Sequence, residues 1–147
     1  MIIAIDFDGT CVTHEYPEVG RDIGAAPVLK ELIANGHKLM LWTMRSHGDQ
    51  NIDCLNDAIN WFKNNDIELW GINKNPEQYW SNSNKQYAQL YIDDAALGCP
   101  LIYPEKERPY VDWWNNLRRC RCLRALQKQW FRCGIRCAHR RVRCAGW

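Results

Sequence analysis

The chain predicts an α/β protein in which a mostly parallel sheet is covered on both faces. Three observations lead there. Runs of strand character alternate with runs of helical periodicity along most of the sequence. Strand alternating with helix builds parallel sheets from crossover units. Polar and acidic residues fall just after the predicted strands, the edge at which parallel sheets hold their ligands.

The elements follow in order. Residues 2–6, IIAID, read as a buried strand. Residues 9–24 carry Gly, polar residues and Pro17, and read as a loop. Pro27 suits a first helical turn, Val28, Leu29, Leu32 and Ile33 follow at helical spacing, and Gly36 stops the helix. Residues 38–43, KLMLWT, are a second strand, and Ile52, Leu55, Ile59 and Phe62 mark a second amphipathic helix. Residues 67–72 form a third strand, residues 77–80 suggest a short helix, and 89–92, QLYI, form a fourth strand that ends at Asp93-Asp94. Residues 100–103 suggest a short fifth strand, and Val111, Trp114 and Leu117 a closing helix. Trp42, Trp61 and Trp70 read as core.

A chain of 147 residues suffices for one domain with a real core. No run of 18 apolar residues is present, so no membrane span is expected. The first apolar run lacks a basic flank and ends at Asp6, which does not fit a signal peptide, so the expected compartment is the cytoplasm. The net charge of +2 conceals a division: residues 1–114 hold 9 Lys and Arg against 17 Asp and Glu, whereas 115–147 hold ten basic residues and no acidic one. Residues 1–117 are therefore read as the body and 118–147 as a basic Cys- and Arg-rich tail.

Asp6 and Asp8, one residue apart after a buried strand, repel each other, and burial strengthens the repulsion. Together with Asp93 and Asp94 they make a carboxylate cluster without His or Cys ligands beside it. Such a set favours a hard cation with oxygen ligands, and Mg²⁺ is the natural choice. A cation there would offset the charge of a phosphate ester. One carboxylate could then attack phosphorus while a second handles the proton. Thr43, at the end of the second strand, offers a hydroxyl to phosphate, a nearby lysine could neutralise the remaining charge, and Arg45 is a candidate for holding substrate. His14 and Tyr16 in the 9–24 loop, and His47, are within reach of a substrate role but read first as solvated, and Cys11 reads as packing.

DFDGT, a strand ending in Thr43, a downstream lysine and a strand ending in IDD together resemble the haloacid dehalogenase (HAD) superfamily, and its phosphatase branch in particular. The resemblance covers about residues 1–105, and small hydrolases of bacteria and phages match best. It implies a Rossmann-like three-layer fold and a Mg²⁺-dependent phosphohydrolase. Asp6 would be the nucleophile, forming an aspartyl-phosphate. Asp8 would be the general acid/base and would ligate Mg²⁺ through its backbone carbonyl. Thr43 would bind the phosphoryl group, Asp93 the metal, and Asp94 would be a second ligand or support. Lys85, eight residues before Asp93, is preferred to Lys74 as the motif lysine on spacing. The 37 positions from Asp6 to Thr43 are filled by loop, helix and strand, so no cap domain is expected and the site should be open. An open site suits a macromolecular end, or a small substrate with a neighbouring subunit as lid in a homo-oligomer.

The tail admits three readings. Its charges, with Trp130 and Phe131 interleaved, suit a nucleic-acid or acidic-surface anchor. Cys120, Cys122, Cys133, Cys137, His139 and Cys144 offer zinc ligands, though C-x-C and C-x₃-C match no common module. The abrupt compositional change also resembles an unselected extension. The alternative to an enzyme is therefore a nucleic-acid-binding or end-processing protein built on a phosphatase-like body.

Overall fold

The computed structural model describes residues 1–48 and 53–114. In chain order these form β1 (Ile2–Ile5), α1 (Ala25–Ala34), β2 (Lys38–Leu41), α2 (Cys54–Asn64), β3 (Gly71–Ile72), β4 (Leu90–Ile92), β5 (Leu101–Ile102) and β6 (Tyr110–Val111). The first four strands make a wholly parallel sheet in the order β3-β2-β1-β4. With its helical crossovers this is a Rossmann-like α/β fold. All four residues of β1 are buried, which requires cover on both faces of the sheet and explains why IIAI shows no polar alternation.

The helices form for local reasons. In α1, Val28, Leu29 and Leu32 are buried on one stripe, and Pro27 lies in the first turn, where a missing N–H costs nothing. Gly36 adopts φ +79°, the left-handed conformation that ends a helix with least strain when no Cβ is present, and its N–H bonds to the Ile33 carbonyl. In α2, Asp53 caps the start by accepting from the Asn56 N–H at 3.2 Å, while Leu55, Ala58 and Phe62 face inward.

Several expectations are corrected. The third strand is only Gly71–Ile72, although the Trp70 N–H still reaches the Leu39 carbonyl. Residues 77–80 form turns, not a helix. Leu101–Ile102 is a strand, but it pairs antiparallel with Tyr110–Val111 outside the main sheet, so Val111 belongs to a strand and not to a closing helix. Two-residue strands carry too short a pattern to be read from periodicity. Trp42, Trp61 and Trp70 are half-buried, and the enclosed indole among the described residues is Trp113.

Met1–Trp113 forms one compact unit. The predicted boundary at 117, Ile52, Leu117 and every reading of the 118–147 tail lie outside the described residues. No helix among the described residues is long and apolar enough to cross a membrane.

Candidate active site

The chain builds β1, β2 and β3 toward one edge and then crosses to place β4 on the other side of β1. The strand order therefore reverses beside β1, and a crevice at the carboxyl ends is the expected ligand position. Register brings the motif residues to this place. Ile5 pairs with Leu41 on one side and Ile92 on the other, so Asp6, Trp42 and Asp93 leave the sheet at one level. The ladder runs one residue further: the Asp6 N–H bonds to the Ile92 carbonyl at 3.0 Å, and the Trp42 N–H to Ile5 at 2.7 Å.

Carboxylate oxygens of Asp6, Asp93 and Asp94 lie within 4.8 Å of one another. Burial pushes the Asp6 carboxyl up from the usual 3.8 to about 7. The Phe7 backbone N–H opposes this, and the charges of Asp93, Asp94 and Asp8 add to it. Burial first and the neighbouring carboxylates second thus disfavour an ionised Asp6, and a cation at the cluster would oppose both. All its donors are hard oxygens, and two oxygens on one Mg²⁺ stand at most about 4.2 Å apart. The three residues therefore fit such an ion with little adjustment.

The DFDGT loop is fixed from several sides. The Thr10 hydroxyl, fully buried, accepts from the Asp94 N–H at 3.0 Å and faces an Asp6 carboxylate oxygen at 3.4 Å, joining the two strand ends. The Cys11 thiol donates to the Asp6 carbonyl at 3.2 Å, which makes Cys11 a packed structural group as expected. From beyond β5, the Val111 N–H bonds to the Gly9 carbonyl at 2.8 Å and the Trp113 indole N–H to the Thr10 carbonyl at 2.7 Å.

His14, expected in solvent, is instead 12% exposed, and its Nε2 lies 3.0 Å from Asp94 Oδ2. The 9–24 loop folds back through bridges of Val12 with Asp8 and Asp22, which carries His14 over Gly9. Gly9 has φ +76°, and a Cβ there would stand 2.0 Å from His14 Nε2. Glycine serves both the turn and the close approach.

Arg45 departs most from its expected role as a phosphate ligand. Its side chain is 1% exposed. Nε and Nη2 donate to the two carboxylate oxygens of Asp8 at 2.8 and 2.7 Å. Nη1 donates to the carbonyls of Pro17 and Cys54 at 2.9 and 3.3 Å, and Nη2 also to that of Glu18 at 2.7 Å. A guanidinium has five N–H donors, and all five are engaged, so none is left for phosphate. The plane also lies against Phe7, 5.0 Å from its ring centroid. The Asp8 side chain faces Arg45 and is not part of the metal-type cluster.

Thr43 lies at the expected strand end. Its hydroxyl oxygen accepts from the Arg45 N–H at 3.2 Å, which leaves its own proton free to donate. Its backbone N–H donates to Asn73 Oδ1 at 2.8 Å. Asn73, at the left-handed φ of 47°, thereby fixes the second-strand loop, a role the sequence reading missed. Lys85 and Lys74 are both exposed, and neither forms an ion pair among the described residues. Lys85 lies before β4, whose neighbour Gln89 bonds to Ile2 at the opposite, amino-terminal end of β1. His47 is exposed as expected and pairs with the helix cap Asp53 at 2.7 Å. Tyr16 is 52% exposed, with its ring 5.4 Å from the Arg45 guanidinium.

Fold and site together define a Rossmann-like α/β protein with an acidic cluster at its strand-order reversal. A solved structure, that of a conserved protein from Bacteroides thetaiotaomicron, is 40% identical, with 67% of this chain and 78% of that chain aligned at a TM-score of 0.59. The chain belongs to the same family as that conserved protein. No family model matches the chain, and no curated protein does.

Proposed function

We propose that the protein is a Mg²⁺-dependent phosphatase of the HAD type that hydrolyses phosphate monoesters through an aspartyl-phosphate. The observation that carries this reading is the three-carboxylate cluster of Asp6, Asp93 and Asp94 at the carboxyl edge of the sheet. The resemblance of DFDGT and IDD to the superfamily supports it.

Mg²⁺ held by Asp6, Asp93 and Asp94 would supply the positive charge that keeps Asp6 ionised and offsets that of the phosphoryl group. Asp6 attacks phosphorus through a carboxylate oxygen as the bond to the leaving oxygen breaks. Asp8 donates its proton to that oxygen, then takes a proton from water. The water oxygen displaces Asp6 from phosphorus and releases inorganic phosphate. Thr43 donates its hydroxyl proton to a phosphoryl oxygen, and Lys74, which follows the carboxyl end of β3 beside the Asn73 that holds Thr43, is the proposed cationic partner in place of Lys85. Because Arg45 holds both oxygens of the Asp8 carboxylate, at least one of these bonds must open and Asp8 must take up a proton from solvent before it can protonate the leaving oxygen.

Hydrolysis of an aryl phosphate with and without Mg²⁺, by wild type and Asp6→Asn, tests the reading. Metal-dependent turnover that disappears in the variant is expected. Absence of turnover, or full turnover in Asp6→Asn, overturns it. The charge division of the chain favours the second reading, nucleic-acid binding by the basic tail. That reading requires salt-sensitive DNA or RNA binding that is lost when 118–147 are deleted.

A further inference from the structure

We infer that the cleft between the 9–24 loop and the 103–109 turn joining β5 to β6 receives a second anionic group of the substrate. The substrate class is then a small phosphate monoester whose leaving group carries a carboxylate or another phosphate. This rests on the phosphatase reading and specifies its substrate.

The cleft is a cavity of about 360 Å³. Thr13, His14, Glu15 and Arg21 line it from the loop, and Lys106, Glu107 and Arg108 from the turn. His14 is also the residue in contact with Asp94, so one wall of the cleft adjoins the carboxylate cluster. A leaving group that extends past His14 from a phosphoryl group at the cluster would reach this space. The volume is within the range of small-molecule sites.

The charges within the cleft are unequal. Arg21 bonds to Glu15 Oε1 at 3.2 Å and to Glu107, linking loop and turn, and the Thr13 hydroxyl donates to Glu15 at 2.9 Å. One cation thus serves both acids. Lys106 and Arg108 form no ion pair among the described residues, which leaves the cleft with more positive than negative charge. Residues 1–114 as a whole have the reverse balance, 9 basic against 17 acidic. A locally cationic cleft beside an acidic metal-type cluster separates two tasks: one end takes a cation with the reacting phosphate, the other takes a free anion.

The test is competition against Mg²⁺-dependent aryl phosphate turnover, with 3-phosphoglycerate and glycerol 3-phosphate as matched inhibitors differing in one carboxylate. The carboxylate-bearing compound is expected to compete about tenfold more tightly, as a charge-assisted hydrogen bond would give. The ratio of inhibition constants should fall toward one at about 0.5 M salt, where charges beyond a few ångströms are screened. It should fall likewise in the double variant Lys106→Ala, Arg108→Ala. The wild-type salt series decides the matter even if that variant folds poorly. Equal competition by the two compounds, with aryl phosphate turnover intact, overturns this inference and leaves the phosphatase reading standing. Absence of turnover removes both.

Discussion

Arg45 and Asp8 form a two-pronged ion pair, at 2.7 and 2.8 Å, across 37 positions of sequence. The same guanidinium holds the Pro17 and Glu18 carbonyls of the 9–24 loop and the Cys54 carbonyl at the start of α2. One buried cation therefore ties the first motif, the loop beside it and the second crossover helix together.

Replacing Arg45 should be severe. Arg45→Met leaves Asp8 and three carbonyls without their donor, and breaking such a buried pair costs about 3–5 kcal/mol. Arg45→Lys should recover little, because an ammonium cannot span both oxygens of Asp8 and the three carbonyls. Urea unfolding of the two variants measures this. A loss under about 1 kcal/mol in Arg45→Met would contradict the clamp.

Asp6 should make the metal-free protein less stable as pH rises. Its folded pKa, about 7, lies above its ordinary value of 3.8, so the folded state binds the extra proton between these values. Stability contributed by that proton is fully present below about 4 and lost as pH climbs through about 7. The span corresponds to on the order of 4 kcal/mol. Asp6→Asn should flatten the melting-temperature profile across this window. Added Mg²⁺ should raise the melting temperature most at and above pH 7, where Asp6 is ionised.

Gly9 and His14 should behave as a coupled pair. In Gly9→Ala the new methyl meets His14 Nε2 at 2.0 Å on top of the strain of φ +76°. The strain alone costs about 1–2 kcal/mol, and displacement of the imidazole from Asp94 adds to it. In Gly9→Ala, His14→Ala the collision with the imidazole is gone, leaving the backbone strain and the loss of the His14–Asp94 contact that His14→Ala alone already carries. The two changes should therefore be non-additive by about 0.5–3 kcal/mol in a double-mutant cycle of urea unfolding.

Asn73 should matter through Thr43. Asn73→Ala removes the acceptor for the Thr43 N–H, a half-buried group, at about 1–3 kcal/mol. Asn73→Gly should cost less, since glycine accepts the left-handed φ of 47° without strain. If Thr43 holds the phosphoryl group, both variants should lower kcat/KM for an aryl phosphate, which steady-state kinetics measures.

Much of the architecture was legible in advance because its signals are local. Ile2–Ile5 is apolar throughout, Val28, Leu29 and Leu32 share a helical stripe, and Gly36 ends that helix, each a pattern within a few residues. The strand ends at Asp6, Thr43 and Asp93 were equally readable. Arg45 was misassigned because an arginine just beyond a predicted strand carries the same local signal whether it faces solvent or a carboxylate. His14 was placed in solvent because loop residues usually are. Thr10 stood in the motif without a role, and Asn73 gave no signal beyond turn-like neighbours. Val111 was drawn into a helix by spacing that a two-residue strand is too short to contradict.

The sequence by itself determined which chemical groups this protein has and how far along each strand they stand, because strand phase and helix stripe are written in near neighbours. Only the tertiary structure decided what each group touches: Asp8 faces Arg45, Asp94 faces His14 from 80 positions away, and Asp6, Asp93 and Asp94 meet. Such pairings depend on strand order and on the path of the 9–24 loop. Both are settled by packing between distant segments, which no short window of residues records.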